Sequence, residues 1–265
     1  MSRVLIIGDV IDDVYVHGSV LGVSAETPTL VMREHNAIKY SGGADLVYFH
    51  LRNILTWEEL PVYQYNEQPV VTKTRFFVGN YKLFQTDKFH EIVPIDLTDL
   101  QFEIEKYDKV VICDNRHGTI NKQVARCIVD TCNRLDKQLY VDVQVSQNES
   151  NHKWYEGAQT MLLNKREFDA CTPSSGISEY SLDAICKFYK WKNVIVKLGQ
   201  KGSAALIEGK YITTQTPQVK AVDTCGAGDA FLAVVVSRKL IDEETLQVAN
   251  NHAAETCTRI GTGIQ

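Results

Sequence analysis

Asp223-Thr224-Cys225-Gly226-Ala227-Gly228-Asp229 sets two carboxylates and two glycines within seven residues, and an apolar run from Leu232 to Val236 follows. Glycines on either side of Ala227 allow successive backbone N–H groups to converge on one point, where they would hold an anion. The apolar run predicts a helix that begins at the motif, adding free N–H groups and the positive end of a helix dipole there. A carboxylate at position 229 would not help to hold an anion. It suits a base that takes a proton from an attacking hydroxyl beside a phosphate. A plainer reading of the same residues is a tight turn closed by Asp229.

Other chemistries lack their signatures. There is no Gly-x-x-x-x-Gly-Lys-Ser/Thr loop, no Gly-x-Gly-x-x-Gly after the first apolar run, no His-Glu-x-x-His and no Gly-x-Ser-x-Gly. P-loop, zinc-protease and α/β-hydrolase readings fall away, and a dinucleotide-binding reading weakens. Seven cysteines are scattered, with none spaced for zinc, which fits a reducing compartment. The 265 residues are 44% hydrophobic and 23% charged, enough for a sizeable core in one large or two smaller domains. A balance of 33 acidic against 28 basic residues, net −5, carries no basic footprint, so no nucleic-acid partner is expected. The run Val4–Ile7 is too short for a signal core and no window is long enough to span a membrane, so a cytoplasmic protein without a membrane partner is expected.

The elements that must position the motif alternate in period. Val4–Ile7, Val110–Cys113, Leu139–Val141, Thr160–Leu163 and Val194–Leu198 are short apolar runs that end in polar residues or glycine. That pattern predicts a parallel sheet with a site at its carboxyl ends. Helix spacing lies between them at 120–135, 180–189 and 243–257. Residues 204–207 and 210–213 predict a hairpin turning at Gly209. Segments 13–34 and 70–84 break the rhythm and predict a small β lid, with Val71, Lys73, Arg75 and Phe77 on one face and Thr72, Thr74, Phe76 and Val78 on the other. Residues 60–69, with two prolines, read as connection.

Taken together, Asp223–Asp229, Gly8–Asp13, Ser24–Pro28, Ser41–Ala44, Thr72–Arg75, Tyr155–Ala158, Asn164–Glu167 and the closing segment Ala249-Asn250 to Arg259-Ile260-Gly261-Thr262 resemble, in order, the ribokinase-like (PfkB) carbohydrate kinases. Within that family the resemblance is nearest to the heptose-7-phosphate kinase branch. It implies an α/β three-layer fold with a mainly parallel sheet and a small β lid, in one domain over residues 1–265, dimerising through the lid. It implies ATP and Mg2+, with a sugar or sugar phosphate as acceptor. Asp229 would be the base, and Gly226, Ala227 and Gly228 the anion hole. Asp13, Gly42 and Gly43 would face the sugar, with Lys73 and Arg75 as further substrate contacts. Lys197, Gly199, Gly202, Thr224 and Asn250 would lie on the nucleotide side, bordered by Val219 or Val222. Asn164 and Glu167 would position magnesium through water.

The chain departs from that pattern. Leu46 stands where an asparagine usually touches the sugar, and His117 and Gln144 stand where lysines are usual. After Ile54 about one βαβ unit is missing, which would narrow the sheet and bare an edge for a partner to cover. These departures keep open a second reading, a nucleotide- or sugar-binding descendant without catalysis. A nucleoside kinase of the same fold is a third.

Overall fold

The computed structural model describes residues 3–55, 62–65, 67–145, 150–172 and 176–261. In chain order its strands are β1 (Val4–Gly8), β2 (Val10–Val23), β3 (Leu30–Gly43), β4 (Val62–Gln64), β5 (Val71–Val78), β6 (Tyr81–Phe89), β7 (Lys109–Asp114), β8 (Gln138–Val143), β9 (Thr160–Asn164), β10 (Asn193–Lys197), β11 (Ser203–Ile207) and β12 (Lys210–Thr214). The helices are α1 (Ala44–Ile54), α2 (Leu97–Glu105), α3 (Lys122–Arg134), α4 (Lys165–Cys171), α5 (Glu179–Tyr189), α6 (Ala227–Ser237) and α7 (Glu243–Thr256).

The five apolar runs expected to be parallel strands are β1, β7, β8, β9 and β10. They lie side by side in a sheet of order β12-β11-β10-β9-β8-β7-β1-β4. Only the β10–β11 and β11–β12 pairings are antiparallel, and Glu208 and Gly209 make the tight turn with φ of 49° and 79°. Both faces are covered, which is why these strands are apolar throughout. Along β1, Val4 and Ile6 pack with α1, α6 and α7, and Leu5 and Ile7 pack with α2, α3, α4 and α5. The result is the ribokinase-like three-layer architecture. Among the described residues no helix is long and apolar enough to cross a membrane.

A second sheet has the order β3-β2-β5-β6. The chain enters it directly from β1, with Asp9 alone between the two strands. The segments 13–34 and 70–84 overlap this sheet, whose strands β2, β3, β5 and β6 begin at Val10 and end at Phe89. Asp9 is wholly buried. Its carboxylate accepts from the N–H groups of His117 and Thr119 at 3.0 and 3.1 Å, and its carbonyl accepts from Ala44 N at 2.9 Å. One residue thus fixes the loop after β7 and the start of α1 at the seam of the two sheets.

One expectation changes. Residues 60–69 do not simply connect, since β4 lies within them and pairs parallel with β1, Val4 opposite Val62. The main sheet therefore has a strand on the side where a whole βαβ unit looked absent. Three residues are too few to show a period. Residues 56–61 and 66 of this stretch, and Thr262 of the closing motif, lie outside the described residues.

Lys109 is 5% exposed, and its Nζ donates to the carbonyls of Val236 and Arg238, both at 2.6 Å, closing the end of α6. Lys109→Met should lower the unfolding free energy by about 2 kcal/mol in urea titrations with an unchanged m-value, because the buried Val236 carbonyl and the partly buried Arg238 carbonyl lose a charged donor.

Candidate active site

Helix α6 begins at Gly226, in the left-handed region with φ 79°, and no side chain caps it. Among the described helices, Asp96, Asn121, Asn164, Ser178 and Asp242 cap the other starts, except that of α1. That helix begins at Gly43 with φ 60° and ψ −132°, also without a side-chain cap. A Cβ at Gly43 would sit 2.2 Å from the Asp9 carbonyl oxygen, so only glycine fits there. Both uncapped starts open on one cleft of about 520 Å3 at the carboxyl ends of the parallel strands. An uncapped helix start offers N–H groups and a positive field to an anion.

The residues given catalytic, substrate, nucleotide and metal roles by the family resemblance line this cleft, Val222 apart: Asp13, Gly42, Gly43, Lys73, Arg75, Asn164, Glu167, Lys197, Gly199, Gly202, Thr224, Gly226, Ala227, Gly228, Asp229 and Asn250. Asp229 lies in the first turn of α6. Burial, reinforced by the charge of Asp142 and opposed by Lys197, pushes its carboxyl up to about 7. Lys197 is ion-paired with Asp142, both side chains about 15% exposed. Its Nζ reaches the glycine turn, 3.3 Å from where a Cβ on Gly228 would stand. Burial alone would lower the Lys197 pKa, but Asp142, Glu167 and Asp229 reverse the sign and hold it up.

Asn164 and Glu167 form a reciprocal cap at the start of α4. Glu167 N donates to Asn164 Oδ1 at 2.9 Å, and Asn164 N and Nδ2 donate to the two Glu167 carboxylate oxygens at 2.6 Å each. Burial and Asp142 raise Glu167 to about 7. Three carboxylates, Asp142, Glu167 and Asp229, therefore surround one lysine. An oxygen-only donor set with excess negative charge fits Mg2+. Among the described residues no three metal-ligating side chains converge into a direct shell, so the fit is to an ion that keeps several waters.

On the other side of the cleft Asp13 is 3% exposed and ion-paired with Arg75. They read as separate substrate contacts in the sequence. Parallel pairing of β2 with β5 sets Asp13 opposite Lys73 and Tyr15 opposite Arg75, which brings the diagonal pair together. Burial raises the Asp13 pKa against the opposing charges of Arg75 and Lys73. A Cβ on Gly42 would meet Asp13 Oδ2 at 3.3 Å, so glycine leaves room beside that oxygen, which accepts from Cys225 Sγ at 3.8 Å. The Arg75 guanidinium lies over the Tyr15 ring, 5.5 Å from its centre. Tyr15 Oη donates to Asp223 Oδ2 at 2.9 Å, and Asp223 also accepts from the N–H groups of Cys225 and Gly261 at 3.0 Å.

Leu46 is buried and lines the cleft, whereas its neighbour Asp45 does not. His117 is not among the lining residues either. Its ring lies 5.9 Å from that of Phe89. Gln144 lines the cleft and donates to Asn115 Oδ1 at 2.7 Å. Gly202 has φ 86°, and a Cβ there would lie 1.9 Å from the Thr214 carbonyl oxygen. Asn250 donates to Thr214 Oγ1 and Ser203 Oγ at 2.7 and 3.2 Å. Val219 borders the cleft and Val222 does not. Sequence reasoning missed Asp142, Asn115 and Cys225 as lining residues. The available signal for Asp142 was its place at the polar end of β8.

The family model for pfkB family carbohydrate kinases matches residues 83–265. The chain belongs to that family. It is 24% identical over 298 residues to the bifunctional protein HldE of Sulfurimonas denitrificans, and 25% over 300 residues to that of Pasteurella multocida. Both comparisons cover 98% of this chain and 61% of the relative, so the chain spans about three-fifths of their length. Among solved structures, Escherichia coli phosphofructokinase-2 in complex with potassium superposes with a TM-score of 0.77 at 15% identity, covering 100% of this chain and 95% of that one. Arabidopsis thaliana ribokinase complexed with ribose and ATP gives 0.73 at 19%, covering 98% and 94%.

A raised carboxyl makes stability fall with pH. Between about pH 4 and 7 the folded chain keeps a proton on Asp229 that the unfolded chain has lost. The stabilisation is full below the unfolded pKa and is lost as pH rises through the folded one. Glu167 acts in the same direction. The thermal midpoint of the unliganded protein should therefore drop from about pH 5 to about pH 8, and Asp229→Asn should flatten that drop in scanning calorimetry.

Proposed function

We propose that the chain transfers a phosphoryl group from ATP to a hydroxyl of a sugar or sugar phosphate, with a heptose 7-phosphate as the preferred acceptor. The observation that carries this is the uncapped start of α6 facing the same cleft as Asp229 and the Asp13–Arg75 pair. Asp13, with Gly42 beside it, holds the acceptor hydroxyls and turns one toward Asp229. Asp229 takes that proton as the oxygen attacks, a step favoured by a pKa close to the working pH. The N–H groups of Gly226, Ala227 and Gly228, with Lys197 below them, neutralise charge on the moving phosphoryl group. The loop from Gly199 to Gly202 and Asn250 border the nucleotide. Asn164 and Glu167, with Asp142, would hold Mg2+ through water, and when bound the ion supplies charge neutralisation between phosphates. The acceptor choice is supported by the run of heptose-branch motifs and by the HldE relatives.

Leu46 and the internal engagement of both Glu167 oxygens favour a second reading, in which the cleft binds nucleotide or sugar without turnover. A homodimer through the second sheet is supported by apolar side chains exposed along the β2–β3 hairpin, among them Leu21 at 56% and Val23 at 67%.

Asp229→Asn should reduce kcat by about a thousandfold with ATP binding intact, in a magnesium-dependent ADP-release assay stimulated by heptose 7-phosphate. Turnover equal to the parent's in that variant would remove the base. Absence of stimulation by any sugar in the parent protein, with nucleotide bound, would favour the second reading.

A further inference from the structure

Among the described residues, two side-chain hydrogen bonds join β2 to the glycine motif, and they run in opposite directions. Tyr15 Oη on β2 donates to Asp223 Oδ2 in the motif at 2.9 Å, and Cys225 Sγ in the motif donates to Asp13 Oδ2 on β2 at 3.8 Å. Asp13 and Tyr15 share one face of the strand, about 7 Å apart along it. Asp223 and Cys225 are also two residues apart, tied by the Cys225 N–H on Asp223 Oδ1 at 3.0 Å. Four residues thus set how the second sheet sits on the turn that starts α6.

The two bonds are unequal. A thiol is a weak donor, and the oxygen it meets is one that acceptor hydroxyls would claim. The Tyr15 bond stands apart from the cleft with Asp229, which Tyr15 does not line. Tyr15 is 1% exposed. Its ring stacks on Phe77, meets Tyr40 edge-on with ring centres 5.0 Å apart, and lies under the Arg75 guanidinium. Neighbours on β3 and β5 therefore hold the ring, and burial raises its pKa, so the hydroxyl stays a donor. Asp223 Oδ2 also accepts from Gly261 N at 3.0 Å. Gly261 has φ 71°, and a Cβ there would come within 2.7 Å of the Tyr40 ring. One carboxylate gathers β2, the glycine turn and the segment after α7.

We infer that Tyr15 is a positioning residue for phosphoryl transfer: through Asp223 its hydroxyl sets Asp13 against the start of α6, and so aligns an acceptor hydroxyl held by Asp13 with the base and the anion hole. The inference rests on the kinase reading above and adds to it a residue that does not itself line the cleft. A misplacement of about 1 Å can slow a reaction about a hundredfold. The nucleotide side of the cleft is built from other residues, so loss of the hydroxyl should appear in turnover and not in nucleotide affinity.

Tyr15→Phe keeps the ring, its stacking and its contact with Arg75, and removes one oxygen. In the magnesium-dependent ADP-release assay with heptose 7-phosphate its kcat should fall about ten- to a hundredfold, with the acceptor KM within about threefold of the parent's. Calorimetric titration with ATP should return the parent's affinity and stoichiometry, which counts the folded molecules. Asp223→Asn, which removes one of the two accepting oxygens, should lose a similar share of kcat, and the double variant should fall no further. Lys109→Met, which weakens the fold without touching this contact, should keep the parent's kcat. An unchanged kcat in Tyr15→Phe, a loss matched by lost ATP stoichiometry, or an equal loss in Lys109→Met would reduce Tyr15 to a packing residue and leave the kinase reading standing. A parent protein that turns over no sugar would end the kinase reading, and the positioning role with it.

Discussion

A helix that starts without a side-chain cap leaves the N–H groups of its first turn with weak backbone partners, such as Ala227 N to the Thr224 carbonyl at 3.4 Å, and this constraint organises the cleft. Gly226 turns the chain through the left-handed region, so no capping side chain can stand there. The start of α6 favours negative charge, and burial holds the carboxyl in its first turn, Asp229, up to about 7. Lys197 beneath the turn, steadied by Asp142, balances the arrangement. Polar groups at the ends of β8, β9 and β10 thus converge because parallel strands end together, while the apolar bodies of those strands keep their ends in register.

The second constraint is the seam between the sheets. β1 runs into β2 across the single buried Asp9, which also fastens the start of α1 and the loop after β7. One side of the cleft is therefore built from two strands of the second sheet, β2 and β5, on a base belonging to the main one. The Asp13–Arg75 pair spans those strands, and Asp223 ties their Tyr15 to the glycine turn and to Gly261. The second sheet and the glycine turn are thereby joined by polar contacts through Asp223.

Much of this was legible in the residues. The apolar runs of β1, β7, β8, β9 and β10 end in polar residues or glycine because they are buried on both faces and open at one end. The alternation of Lys73, Arg75 and Phe77 against Thr72, Thr74 and Phe76 follows the pleat. What was not legible is pairwise. Asp13 and Arg75 lie 62 residues apart and neutralise one another only because β2 and β5 pair in parallel. Asn164 and Glu167 read as metal positioners, yet their spacing of three is also that of a reciprocal helix cap, and both functions use the same oxygens. β4 escaped notice because three residues carry no period. His117 looked like a pocket residue from its place in the motif, but it does not line the cleft and its ring lies 5.9 Å from that of Phe89.

The edges of the two sheets differ in what they offer another molecule. β4 ends the main sheet with three residues, too short a ladder for a foreign strand to hold its register. β3 ends the other with fourteen. That longer border carries Arg33, Glu34, His35 and Lys39 along its exposed length, and β2 beside it is bulged at Gly18 and Gly22. Strand-by-strand stacking is thereby discouraged at these two borders, at one by brevity and at the other by charge and kinks.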